Sequence, residues 1–167
     1  MKLNVPISKV MMTQIFTVEP KDKLSVIKET FDLYHFRHLP VINQGRMVGI
    51  ISQSDFLRVT YGANLKPEED QQVNEEIYGS ITAEEIMTHV VRTLTSKHTV
   101  LDAALLFEKN QFHCLPIVDK GKLVGMVTPI DLVRHLKNRI LLNKDMEDAG
   151  SRLPKSELSI GNSLSNL

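Results

Sequence analysis

The chain has 167 residues, and its 42% hydrophobic and 24% charged content is typical of a globular protein and excludes disorder or a coiled coil throughout. Twenty basic and twenty acidic residues give zero net charge, which argues against nucleic acid as the main partner because phosphate binding needs clustered positive charge. The single cysteine, Cys114, excludes an internal disulfide framework. With 5% aromatic residues and no tryptophan, we expect an aliphatic core.

Residues 1–8 are interpreted as a short lead-in. They contain no long apolar stretch and no small-residue cleavage site, so we predict no secretory signal. No apolar run in the chain approaches the about 18 residues that a transmembrane helix needs. We therefore expect a soluble cytoplasmic protein without a membrane partner.

Residues 9–60 alternate between helical and extended patterns. An apolar stripe with helical spacing predicts a first helix, and its members are Leu24, Ile27, Phe31 and Tyr34. Short apolar runs at 41–42 and 47–51, joined by the turn sequence NQGR, predict a β-hairpin. A second helix is predicted over about 53–60. With an extended segment before the first helix, the order is strand, helix, strand, strand, helix.

Residues 61–80 are polar and locally acidic, with the sequence KPEED at 66–70. We interpret them as an exposed, partly helical linker. An acidic docking surface is the alternative that the sequence leaves open.

Residues 81–142 repeat the first pattern, because the same landmarks return in the same order. The landmarks of the first copy are Met12-Thr13, Leu39-Pro40-Val41, the octapeptide GRMVGIIS at 45–52, and Asp55. Those of the second copy are Met87-Thr88, Leu115-Pro116-Ile117, the octapeptide GKLVGMVT at 121–128, and Asp131. A second helical stripe consists of Val100, Ala103, Ala104 and Phe107. The final helix of this copy is predicted over 129–142.

Each copy is close to the lower size limit of a self-sufficient core, so we expect the two copies to pack together. The predicted fold class is α/β (α+β), with two β-α-β-β-α repeats related by a pseudo-two-fold axis. Residues 143–167 lose the apolar period and are predicted to be a polar tail that is disordered or docks weakly.

Both copies place a hydroxyl and then an acid three residues later where a strand meets a helix. The pairs are Ser52 with Asp55 and Thr128 with Asp131. One interpretation is a helix-capping box, and Pro129 at the first helical position fits it. The other is a ligand site, because a helix N-terminus attracts phosphate and a carboxylate accepts ribose hydroxyls, while the preceding strand glycine admits a ligand. The two interpretations are compatible.

The landmarks together resemble a tandem pair of CBS domains, a Bateman module, over about residues 10–60 and 81–137. This resemblance implies a non-enzymatic regulatory module that binds AMP, ADP, ATP or S-adenosylmethionine between the repeats, without a required cofactor or a metal. The implied ligand-binding residues are Thr13, Ile15, Arg37, His38, Pro40, Ser52, Asp55, Thr88, Val90, His113, Pro116, Thr128 and Asp131.

The resemblance also implies a role for many of these residues. The aspartates hold ribose hydroxyls, and Ser52 and Thr128 hold ribose or phosphate oxygens. Adenine lies against backbone and aliphatic side chains near Thr13, Ile15 and the matching segment of the second copy. We expect this aliphatic environment, rather than ring stacking, because aromatic residues are few.

Arg37 and His38 occupy the place where related proteins often contact phosphate. The matching residues of the second copy are His113 and Cys114, and the cysteine brings no charge. We therefore predict unequal sites. The arginines three residues after each aspartate, Arg58 and Arg134, are interpreted as solvated helix residues.

Other chemistry has little support. His35-x-x-His38 has metal-ligand spacing, but Leu39-Pro40 ends the helix there. His113 and Cys114 are strand neighbours whose side chains point to opposite faces, so they do not make a nucleophile–base pair. The alternative to a nucleotide sensor is a structural or protein-interaction module whose Ser/Thr-x-x-Asp motifs only cap helices. In either case we expect a homodimer and an unidentified protein target.

Overall fold

The computed structural model describes residues 4–34, 36–62, 71–110 and 112–151, and gives the backbone alone for 62, 71–74 and 144–151. The chain divides into two compact units, Met1–Leu132 and Val133–Leu167. Both hairpins lie in the first unit, and the described part of the second unit is helical as far as Ser151. No helix among the described residues is long and apolar enough to span a bilayer.

The elements follow the predicted order. After a 3-10 turn at Ile7–Lys9, the first repeat contains α1 (Leu24–Tyr34), β1 (His38–Asn43), β2 (Arg46–Ser52) and α2 (Gln53–Gly62). The connection and the second repeat contain α3 (Gln71–Ser80), α4 (Ala83–Ile86), α5 (Val100–Lys109), β3 (Leu115–Asp119), β4 (Lys122–Val127) and α6 (Pro129–Ser151). This mixture of helices and strands confirms the predicted α+β class.

Each repeat is built on one antiparallel hairpin, β1–β2 or β3–β4. The central turn residues have positive φ, 49° and 75° at Gln44 and Gly45, and 53° and 83° at Lys120 and Gly121. Positive φ at both central residues defines a type I′ turn, which matches the twist of the strands it joins. The strand register shifts at the same point in both hairpins, so the repeats agree in backbone detail.

The first predicted strand of each repeat is reduced to a single parallel bridge. Val18 N–H donates to the carbonyl of Pro40 at 3.1 Å, and the Val18 carbonyl accepts from Ile42 at 2.8 Å. Leu94 makes the equivalent pair of hydrogen bonds in the second repeat. The residues that precede these two bridges pair with the other repeat instead, at Met12 with β4 and at Thr88 with β2.

Residues 5–12 and 81–88, which we call the exchanged segments, each pack into the core of the other repeat. Ile7 is fully buried in a cluster with second-repeat residues, namely Leu94, Ala103, Leu115, Ile117 and Val127. Ala83, Ile86 and Met87 are buried with first-repeat residues, among them Leu24, Ile27, Phe31, Leu39 and Ile51. Backbone hydrogen bonds hold both exchanges, as between Ile7 N–H and His98 C=O at 2.8 Å. Each core therefore needs residues that lie outside its own repeat in the sequence.

A third cluster, the seam, joins the repeats through Ile50, Cys114 and Met126. A Cβ at Gly125 would lie 2.8 Å from Cγ of Met11, and one at Gly49 would lie 2.8 Å from Cγ of Met87. Under the ligand-site interpretation of the sequence, both glycines would admit a ligand. The structure corrects this, because an exchanged-segment methionine occupies the space above each glycine.

The linker is helical over Gln71–Ser80, and Tyr78 packs against the first core. Glu75 and Glu76 are exposed, while the acidic residues at 66–70 lie outside the described part. The last helix continues past the predicted end at Leu142 to Ser151, and residues 152–167 of the predicted tail also lie outside the described part.

Candidate functional site

A cavity of about 520 Å³ opens at the seam. This volume lies within the roughly 300–1,000 Å³ typical of small-molecule sites. The residues that line it are Met12, Gln14, Ile15, Phe16, Phe36, Arg37, His38, His113, Cys114, Met126, Thr128, Pro129 and Ile130.

Both repeats contribute to this cavity. The first repeat supplies the segment around Ile15 and the residues where α1 gives way to β1, among them Arg37 and His38. The second repeat supplies His113 and the start of α6 at Thr128. The structure thus brings five of the predicted ligand residues to one cavity.

Thr128 and Asp131 form a cap on α6. One carboxylate oxygen of Asp131, Oδ2, accepts the backbone N–H of Thr128 at 2.9 Å and its hydroxyl at 2.7 Å. Only Thr128 of this pair lines the cavity. The capping interpretation is confirmed, and the cap fixes the threonine at the start of a helix that faces the cavity with its positive end.

Ser52 and Asp55 cap α2 in the same way. Asp55 Oδ2 accepts the Ser52 backbone N–H at 2.9 Å and hydroxyl at 2.6 Å, and the Asp55 N–H donates back to Ser52 Oγ at 3.1 Å. The other oxygen, Oδ1, is 2.8 Å from Arg58. The Arg58 side chain is 73% exposed, as expected for a solvated helix residue, and it also pairs with Asp55, which is 14% exposed.

The remaining predicted residues lie elsewhere. Thr13, with Ile15, lines a separate cavity of about 210 Å³. Pro40 and Pro116 are fully buried in their strands. The other four, Ser52, Asp55, Thr88 and Val90, are not in the lining of either cavity, and the side chain of Val90 is 93% exposed.

Phe16 and Phe36 line the larger cavity, although the sequence was expected to give it an aliphatic wall. The ring of Phe16 stacks on Tyr34 with centroids 3.9 Å apart, and lies 5.4 Å from the ring of Phe36. Sequence reasoning missed these rings. The sequence signal that could have indicated Phe36 is its position directly before Arg37 and His38, which were predicted to bind the ligand.

The environment of His38 favours its neutral form. Burial lowers its pKa, and the nearby His113 and Arg37 lower it further, against an opposing effect of Asp55. Arg37 is therefore the one permanent charge in the described lining of the cavity.

The family of CBS domains matches the chain twice, over residues 7–62 and 83–138. The chain belongs to the CBS domain family. An uncharacterized protein of Methanocaldococcus jannaschii is 31% identical over 78% of this chain and 90% of its own length. The chain spans 43% of the length of a second protein from that organism, which is 28% identical.

Solved CBS structures share the fold. The CBS domain of a membrane protein from Sphaerobacter thermophilus superposes with a TM-score of 0.65 at 30% identity, over 79% of this chain and 88% of its own. The structure of CBSX2 in complex with AMP superposes with a TM-score of 0.67 at 25% identity, over 80% and 97%. The tandem CBS pair is thus shown by both sequence and fold.

Cys114 of the second CBS repeat is buried in the cavity wall. Burial raises its pKa to about 12, with a smaller contribution from Asp131, so the thiol stays protonated at neutral pH. Nucleophilic or metal-binding cysteines need the thiolate. Within the described residues no group of three or more His, Cys, Asp or Glu side chains is arranged to hold a metal, and His35 lies outside those residues.

Proposed function

We propose that this CBS pair is a non-enzymatic regulatory module that binds an adenosine-containing ligand in the seam cavity. The observation that carries the proposal is that Ile15, Arg37, His38 and Thr128, from both repeats, line one cavity of about 520 Å³. The AMP complex of CBSX2, which has the same fold, supports an adenine nucleotide as the ligand class.

AMP is the ligand that the charges fit best. Arg37 is the permanent cation of the described lining, and His38 is held neutral, so the cavity matches one phosphate group better than two or three. The start of α6, directly after Thr128, adds the positive end of the helix dipole. ADP, ATP and S-adenosylmethionine are the competing ligands, and the order of their affinities tests this charge match.

Regulation would follow from the fact that both repeats contribute residues to the cavity lining. Arg37 belongs to the first repeat and Thr128 to the second, so a ligand that contacts both favours one arrangement of the repeats. A ligand shifts an equilibrium only by its differential affinity for the two states. We propose that the states differ in their fit to a second copy of the chain or to a protein target.

The direct test is isothermal titration of the full chain with AMP, ADP, ATP and S-adenosylmethionine. We expect AMP to bind most tightly and Arg37→Ala to weaken AMP at least about tenfold, as expected for loss of a charged hydrogen bond. Arg92→Ala is the matched control, since Arg92 is exposed and outside the described lining. No binding of any of the four ligands at millimolar concentration would overturn the proposal.

A second candidate is a protein-interaction module that works without nucleotide. The caps favour it, because Asp55 and Asp131 each already accept two hydrogen bonds from their own helix start. Thermal melts separate the two candidates. A ligand present at a hundred times its dissociation constant adds about 2.7 kcal/mol to the free energy of unfolding, whereas the second candidate predicts no change with any nucleotide.

A further inference from the structure

Four side chains in the described lining of the seam cavity are ionisable: Arg37 and His38 from the first repeat, and His113 and Cys114 from the second. Arg37 stays charged, and the Cys114 thiol, with its pKa of about 12, stays uncharged. No carboxylate lies in this lining, and Asp131, which acts on the thiol, is outside it. Because the ordinary pKa of histidine is about 6.5, only the two histidines can change the charge of the lining between about pH 5.5 and 7.5.

The two histidines belong to different repeats but act on each other. Burial is the main reason why the pKa of His38 lies below its ordinary value, and the charges of His113 and Arg37 lower it further. Asp55 acts in the opposite direction, but it lies outside the lining, where its own helix start and Arg58 hold its two oxygens. Within the protein alone, burial and like charge therefore disfavour a proton on His38.

A phosphate group in the cavity would reverse this balance. It carries a charge of about −1.5 to −2 at neutral pH, and an opposite charge nearby favours the protonated form of a histidine. We infer that His38 and His113 are proton-linked specificity residues, which take up protons when a nucleotide binds, so that acidification shifts the preference of the cavity from one phosphate group towards two or three. This inference rests on the proposed function and adds the regulation of its site by pH.

The difference between the repeats places one histidine on each side of the seam. Arg37 and His38 match His113 and Cys114, so the histidine is the second residue of the pair in one repeat and the first in the other. Protonation of both puts like charges on the two repeats, and a phosphate that contacts both histidines offsets their repulsion. Because such coupling is reciprocal, a nucleotide promotes proton uptake by as much as protons promote nucleotide binding.

Isothermal titration of the full chain with AMP and ADP at pH 7.5 and pH 6.0 tests this linkage. Both ligands end in the same kind of phosphate, so the effect of their own protonation largely cancels in the ratio of their affinities. We expect the affinity for ADP relative to AMP to rise at least about threefold on acidification, because a neutral hydrogen bond to phosphate becomes a charged one.

His38→Gln and His113→Gln keep a planar polar side chain but cannot take up a proton. The double variant should show the same ratio of ADP to AMP affinity at both pH values. His89→Gln is the matched control, because His89 is exposed and outside the described cavity linings, and it should keep the full shift. NMR of the imidazole groups gives a second measure on the unaltered protein, in which AMP should raise the pH at which His38 is half protonated.

A ratio that does not change with pH, in an unaltered protein that binds AMP, overturns the linkage and leaves the nucleotide function standing. A full shift in the double variant also overturns it, because other groups then cause the shift. Where a lowered melting temperature shows that the double variant is unfolded, the NMR measurement decides, and a His38 titration that AMP does not move overturns the linkage. No binding of AMP or ADP at either pH defeats the proposed function itself, and the linkage with it.

Discussion

In both CBS repeats a type I′ turn joins two antiparallel strands, the register shifts at one equivalent point, and a hydroxyl and an aspartate cap the next helix. The residues before the Leu-Pro landmark differ, with Arg37 and His38 in the first repeat and His113 and Cys114 in the second. These four side chains all line the seam cavity. The features shared by the repeats build the backbone, and the residues that differ place the permanent charge of the described lining, Arg37, in the first repeat.

The largest effect expected from this comparison concerns the exchanged segments, which the repeats use symmetrically. Ile7→Ala and Ile86→Ala each remove a buried side chain and should lower the free energy of unfolding by about 2–5 kcal/mol. Urea denaturation followed by circular dichroism measures the loss. Val90→Ala, at a 93% exposed position, is the control and should change it by less than about 0.5 kcal/mol.

A small loss for Ile7→Ala beside a large loss for Ile86→Ala would break the symmetry. The N-terminal exchanged segment would then contribute little to the second core.

The next effect concerns the two glycines that directly precede the seam residues Ile50 and Met126. Gly49→Ala and Gly125→Ala place a methyl group against Met87 and Met11, and each should cost about 1–3 kcal/mol through overpacking. Thermal melts measure the cost. Met11→Ala should partly rescue Gly125→Ala and should not rescue Gly49→Ala, because Met11 contacts only the former position among the nearest atoms.

The caps separate stability from binding. Ser52→Ala and Thr128→Ala should each cost about 1 kcal/mol of stability, because each loses an N-cap hydroxyl. Only Thr128→Ala should also weaken AMP, since Thr128 lines the seam cavity and Ser52 does not line it. Parallel melting and titration of both variants make the comparison, and equal weakening of AMP by the two would contradict the assignment of the cavity.

The smallest effect is the pH dependence of stability that His38 causes. Because burial lowers the pKa of His38 in the folded chain, the unfolded chain binds the proton more readily, and stability falls as pH drops below about 6.5. The groups that act on His38 are His113, Asp55 and Arg37. Above that pH the contribution is fully present.

His38→Gln should reduce the difference in stability between pH 7.5 and pH 5.5, as measured by denaturation at both values. Cys114→Ala should leave that difference unchanged, because the cysteine pKa of about 12 keeps the thiol protonated over this range. An unaltered difference in the His38→Gln variant would show that other histidines cause the acid sensitivity.

Much of the fold could be predicted from the sequence because its signals are local. Helical spacing at Leu24, Ile27 and Phe31 and the glycine-containing turns each depend on a few neighbouring residues, and the repeat supplied a second copy of every signal. The exchange of segments could not be predicted in this way. Nothing in the neighbouring sequence marks Ile7 as a core residue, because its burial depends on partners more than eighty residues away, such as Leu94 and Leu115.

The candidate site could likewise be predicted only in part. Arg37, His38 and Thr128 were found because they flank recognisable landmarks, and all three reach the cavity. Phe16 was missed because its ring contacts Tyr34, the last residue of α1, only in the folded chain. The ion pair of Asp55 with Arg58 could have been predicted from the sequence, since residues three apart on a helix are neighbours.

The exchanged segments also constrain the order in which the chain can fold as it is synthesised. When the ribosome has completed β2, the first core still lacks Ala83, Ile86 and Met87, so its apolar surface waits for later residues. Ile7 is synthesised early, but the core into which it packs forms only after β3 and β4 have emerged. Contacts of such long sequence separation slow folding and leave apolar surface exposed in the meantime. We therefore expect a nascent chain that ends near Ser52 to be a substrate for chaperones rather than a folded repeat.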